Sequence, residues 1–196
     1  YEDSNPYNSD EHGLWVTACM ATDKPGYYIG TAPEANYWLL RSEDLSGEYP
    51  VEEDYWVAAI EYADSVGADV VNTSLYYTGN RWPFPSYEYE EMDGKTALPT
   101  RAANVAACCA GNDGSWVGTP ADSPNVLAVG SVTTTGGIGD FTAYGMTVDG
   151  RMKPDVVALG TSVCTIDIEG RIDFRSGTPM QALFYVGWQP VYGKLT

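Results

Sequence analysis

The segment from Val51 to Leu75 constrains the fold more than any other. Tyr55, Trp56, Ala59, Ile60, Ala63 and Val66 recur at three- and four-residue spacing, the period of one helix face. Glu52, Glu53 and Asp54 stand at what would be the positive N-terminal end, and Gly67 is a natural stop. The spacing predicts a helix over 51–66, with a strand of the buried type over 68–75 directly after it. The run 35–40 reads as a further short strand. Strand, helix and strand with short links predict a right-handed crossover in a parallel sheet.

The rest of the chain fits the same architecture. A helix is expected over 10–21, with Asp10 and Glu11 in its first turn, Trp15, Val16, Cys19 and Met20 on its apolar face, and Lys24-Pro25-Gly26 ending it. Another is expected over 95–107, where Pro99 limits the start. Continuous apolar runs at 125–132 and 155–159 read as strands. The alternation over 162–175 around Glu169-Gly170 reads as a hairpin. The Tyr- and Pro-rich stretch 76–89 reads as a loop. The expected class is α/β, one domain over 1–196 with no internal repeats.

With 196 residues and 44% of them hydrophobic, the chain can bury a sizeable core. Ten basic against 27 acidic residues leave a formal charge of −17, which argues against nucleic acid and anionic membrane surfaces as partners. No apolar run reaches the ~18 residues that would span a bilayer, and residues 1–10 are too polar and acidic to be a secretory signal. Cys19, Cys108, Cys109 and Cys164 form no C-x-x-C pair, and His12 is the single histidine, so no metal or cofactor is expected. The cysteines read as small apolar core residues. The acidic clusters Glu52-Glu53-Asp54 and Glu88-Tyr89-Glu90-Glu91 lack the spacing of a calcium site and read as solvated faces.

Taken singly, His12-Gly13 is a surface histidine at a helix start, and Ala110-Gly111-Asn112 and Ser176-Gly177-Thr178 are ordinary turns. Their order with other short motifs changes that reading. These are Val71-Asn72-Thr73-Ser74-Leu75, Thr119-Pro120-Ala121, Asn125-Val126-Leu127-Ala128-Val129-Gly130, Phe141-Thr142-Ala143-Tyr144-Gly145 and Lys153-Pro154-Asp155-Val156-Val157-Ala158-Leu159-Gly160. In this sequence they resemble the subtilisin-like serine proteases over nearly the whole chain. The resemblance implies a three-layer fold, a mostly parallel sheet flanked by helices, and an Asp-His-Ser hydrolase acting on extended peptides or proteins. In such a site a carboxylate orients the imidazole, the imidazole takes the serine proton, and the serine attacks the scissile carbonyl. His12 matches the general base and Asn112 the amide that stabilises the oxyanion. Ser74-Leu75 and Ala110-Gly111 match the two segments whose backbones pair with substrate. The family context also implies a secreted or extracytoplasmic location.

Four departures accompany the match. Only eleven residues precede His12, so the family's N-terminal strands and catalytic Asp are expected to be missing, and neither Asp3 nor Asp10 is assigned that role. Thr178 runs directly into Pro179, so the nucleophilic serine is replaced or deleted. Loss of such a nucleophile costs about 10⁶-fold in turnover, a magnitude measured on a member of this same family. Only Val105-Ala106-Ala107-Cys108-Cys109 stands before the Ala-Gly-Asn motif, so a central strand is expected to be shortened or lost. Tyr76 follows Ser74-Leu75 where the family usually has glycine, which would crowd the cleft.

These departures leave three readings: an endopeptidase domain by descent that is inactive as given, a non-catalytic peptide-binding relative, and a degenerate product that does not fold. Three independent defects in one site favour the last over a selected peptide-binding relative. Peptide-bond hydrolysis is the family's activity, and no appreciable proteolysis is expected from these residues alone.

Overall fold

A computed structural model describes residues 11–44, 47, 49, 51–77, 105–112, 114, 117–147 and 150–178. In chain order the elements are α1 (His12–Ala21), β1 (Asp23–Lys24), β2 (Tyr28–Ile29), α2 (Val51–Ser65), β3 (Val70–Thr73), β4 (Val105–Cys109), β5 (Leu127–Val132), β6 (Gly145–Met146), β7 (Met152–Lys153), β8 (Val156–Leu159), β9 (Val163–Ile166) and β10 (Ile172–Arg175). Strands β3-β4-β5-β8 form one sheet, every neighbouring pair parallel. The fold is α/β, a parallel sheet with helices against it.

The helical period of α2 is realised in its buried residues. Trp56, Ile60 and Ala63 face inward and Tyr55 outward. Trp56 packs with Val71 and Leu75, and its Nε1–H donates to Thr73 Oγ1 at 3.1 Å, which fastens the helix to β3. In α1, Val16, Cys19 and Met20 cluster with Val163 of β9 and Leu159 of β8. The β9–β10 hairpin turns at the expected place, where Gly170 holds φ +77° and donates to Asp167 O.

The centre of the sheet corrects one expectation and decides another. Residues 105–107, expected to end a helix, are strand; 95–104 lie outside the described residues, as do most of 76–89. The strand expected to be shortened or lost is present as the five-residue β4, paired to β3 on one side and β5 on the other. Ala106, Ala107, Cys108 and Cys109 are almost fully buried, with Ala106 and Cys108 in one core cluster and Ala107 in another. A strand covered on both faces between two neighbours takes small side chains without strain, so the missing β-branched run does not prevent it.

Three further expectations give way. Residues 35–40 form no strand; Trp38, Leu39 and Leu40 are exposed, and Trp38 meets Tyr62 of α2 edge-on at 5.7 Å between centroids. Among the described residues no strand pairs with this run to satisfy its backbone in a sheet. Lys24-Pro25-Gly26 does not end α1, which stops at Ala21, but turns the small β1–β2 hairpin. Glu52 and Glu53 are not a solvated face, each being 1% exposed. The Glu52 carboxylate accepts the backbone N–H groups of Asp44 at 2.6 Å and Tyr49 at 2.9 Å, so the loop before α2 supplies the partners that let it be buried.

Candidate active site

In a parallel α/β sheet, ligands bind in the crevice beyond the carboxyl ends of the strands. Two of the segments singled out from the sequence emerge there side by side. Ser74-Leu75 continues β3 and Ala110-Gly111-Asn112 continues β4, after a register that pairs Thr73 with Cys108. Within the first segment Asn72 Nδ2–H donates to Ser74 Oγ at 2.8 Å, and Cys109 Sγ–H, at the end of β4, donates to Leu75 O at 3.3 Å and so joins the two segments.

The backbone of Ala110-Gly111 is mostly committed within the fold. Ala110 N–H donates to Val129 O at 3.0 Å, Ala110 O accepts from Gly118 N–H at 3.3 Å, and Gly111 O accepts from Ala143 N–H at 3.1 Å. Those three groups are not available to pair with a peptide strand.

Asn112 is exposed at the crevice and held from below. Its Oδ1 accepts from the Thr178 N–H and from Thr178 Oγ1–H, both at 2.7 Å. A backbone N–H can only donate, so the atom facing it must be the amide oxygen. The amide NH₂ is thereby turned away from Thr178. Thr178 is fully buried and reaches this position through two further ties. Gly177 N–H donates to Gly160 O, and Ser162 N–H donates to Ser176 Oγ, each at 2.9 Å. The sequence marked Gly177-Thr178 as family-like; that Thr178 sets the direction of Asn112 was not legible there.

His12 is the first residue of α1 and is half-buried. Its helix is carried by the β9–β10 hairpin, whose second strand ends three residues before Thr178. Thr165 Oγ1–H of β9 donates to Trp15 O at 2.7 Å, and the Arg175 guanidinium of β10 lies 3.8 Å from the Trp15 ring centroid. One β9–β10 hairpin thus positions the helix of His12 and leads into the residues that orient Asn112.

Two cysteines approach the site, and neither can stand in for the nucleophile. Cys108 and Cys109 are fully buried; desolvation pushes the Cys109 thiol up to about 12 and the Cys108 thiol higher. Nucleophilic cysteines need the opposite, a lowered pKa and access. Among the described residues no three His, Cys, Asp or Glu side chains converge as a metal site would require. No described helix is long and apolar enough to cross a membrane.

Comparison with known proteins places this geometry in context. The family model Peptidase_S8, described as the subtilase family, matches residues 1–185. Subtilisin NAT from Bacillus subtilis subsp. natto is 29% identical over 193 residues, covering 91% of this chain and 44% of the relative. The human membrane-bound transcription factor site-1 protease is 28% identical over 185 residues, covering 90% of this chain and 16% of that protein. Among solved structures, a cold-adapted subtilisin-like serine proteinase superposes with a TM-score of 0.75 at 20% identity, covering 97% of this chain and 63% of its own. The prenylagaramide maturation protease PagA gives 0.74 at 22% identity, covering 93% and 64%. The chain spans less than half the length of the curated subtilisins it matches.

Proposed function

The chain belongs to the subtilase family, and from that premise we propose that residues 1–196 are part of one subtilisin-like serine endopeptidase domain whose residues do not by themselves complete peptide-bond hydrolysis. The observation that carries this reading is the orientation of Asn112. With Oδ1 committed to Thr178, its NH₂ is the donor that a developing oxyanion would meet. His12, at the head of α1, takes the role of general base. Ser74 and Leu75 hold the backbone of an extended peptide or protein, and Ala110 and Gly111 wall the crevice beside it. No aspartate of this sequence is assigned to orient His12, and the nucleophile is lacking as well: Thr178 is followed by Pro179, and proline also lacks an N–H to offer an oxyanion. The protein acts outside the cytoplasm or is secreted, as its family membership suggests.

A second reading, a peptide-binding pseudoprotease, is supported by the intact pairing of β3 with β4 up to the crevice. The deciding experiment is labelling of the purified full chain with a fluorophosphonate probe, followed by peptide mass mapping, with an active serine protease labelled in parallel. No adduct is expected on any serine. A His12-dependent adduct on one serine, Ser176 included, would overturn the inactive reading. Retention of extended peptides without cleavage would favour the pseudoprotease.

A further inference from the structure

We propose that Tyr76 determines which peptides this crevice accepts, by filling with its own ring the space between the Ser74-Leu75 and Ala110-Gly111 segments. This rests on the proposal that the crevice holds an extended peptide. Gly111 has φ +120°, and a Cβ built on it would lie 3.3 and 3.4 Å from Cε2 and Cδ2 of the Tyr76 ring. The same Cβ would lie 3.1 Å from Ala143 Cβ. The ring of the residue that ends one wall is therefore packed against the bare backbone of the other.

The ring points inward. Tyr76 is half-buried and its hydroxyl oxygen is shielded from solvent. Its backbone is restrained on both sides. Leu75 O accepts the Cys109 thiol, and Tyr77 forms a two-way bridge with Thr119, N–H to O at 2.8 Å and O to N–H at 3.1 Å. The ring can leave only by changing rotamer, which would expose its apolar faces and empty the space it fills. A peptide seated on Ser74-Leu75 must present a side chain small enough to coexist with that ring. The crevice is thus selective for glycine or alanine at that one position and refuses large apolar side chains.

The test uses the full chain and labelled oligoalanine hexapeptides, each with one Phe at a successive position, with binding read by fluorescence anisotropy. In the wild-type protein, Phe at one position is expected to weaken binding at least tenfold against all-Ala, and Y76G is expected to remove that loss. Y76F, which keeps the ring, should behave as wild type. Wild-type binding that is indifferent to Phe at every position would overturn the proposal, and this arm does not depend on any variant folding. Discrimination that persists in a folded Y76G protein would also overturn it. Absence of binding by every peptide to every form would instead remove the peptide-holding reading, and this inference with it.

Discussion

Replacing Asp155 should destabilise the protein more than replacing its partner Lys153, although both substitutions break the same ion pair. Lys153 is 4% exposed, and its Nζ donates to Asp155 Oδ2 at 2.7 Å and to Val126 O at 3.0 Å. Asp155 keeps 35% of its side chain in solvent, and the same Oδ2 accepts Ala128 N–H at 2.8 Å while Asp155 N–H donates back to Ala128 O at 3.0 Å. D155N therefore leaves an ammonium buried without its counter-charge, and the neutral amide oxygen that replaces Oδ2 is a weaker acceptor in the clasp joining β5 to the start of β8. Breaking a buried pair from the side that strands the charge costs about 3–5 kcal/mol. K153M keeps the stem's volume, and the remaining carboxylate has both water and the Ala128 N–H. Its cost is the unpaired Val126 carbonyl and the lost attraction, about 1–3 kcal/mol. The double variant should cost less than the sum by at least about 1 kcal/mol, because no stranded charge remains. Urea unfolding of the full chain at neutral pH measures all four proteins. Against a typical stability of about 5–15 kcal/mol the differences are large. If K153M proved as costly as D155N, or the two costs simply added, the argument from unequal burial would be refuted.

Glu52→Gln should cost about 2–3 kcal/mol in the same assay, since one end of the amide would place N–H groups against a backbone donor, Asp44 or Tyr49, where the carboxylate now accepts both; an unchanged midpoint would refute the anchoring role. Stability should fall above about pH 9. Cys108 and Cys109 have raised pKa values in the folded protein, so they stay protonated there while the unfolded chain ionises, and stability present below the unfolded pKa is lost as pH rises toward the folded values. Each group contributes a slope of about 1.4 kcal/mol per pH unit across that window. The buried Tyr77 hydroxyl, also pushed up by desolvation and by Glu43, adds to the slope above about pH 10. A C108A/C109A protein whose midpoint declined as steeply between pH 8 and 10 would contradict this account.

How much was legible beforehand differs from element to element. The buried stripe Trp56-Ile60-Ala63 follows from spacing alone, because a helix has one period and one face to bury. The turn at Glu169-Gly170 was equally plain, since few residues adopt positive φ. Strand β4 was harder. Alanine and cysteine carry little strand preference of their own, and they become the right choice only where strands lie on both sides and packing covers both faces. The reverse holds at 35–40, where a strand-like composition has no neighbour to pair with among the described residues. Glu52 reads as a surface residue until a loop brings two backbone N–H groups to it.

The candidate site divides along the same line. Order and identity of the motifs alone determined the family, the parallel α/β class, and the residues His12, Asn112, Ser74, Leu75, Ala110 and Gly111 as those to examine, because residue types and spacing survive without coordinates. Only the tertiary structure decided which way the Asn112 amide faces, that the Ala110-Gly111 backbone is already engaged, and that the Tyr76 ring lies against Gly111. Each of these depends on a partner distant in the chain: Thr178 for Asn112, Val129, Gly118 and Ala143 for Ala110-Gly111, and Gly111 for Tyr76. The direction of a hydrogen bond and the occupancy of a gap are properties of two segments at once, and no single segment carries them.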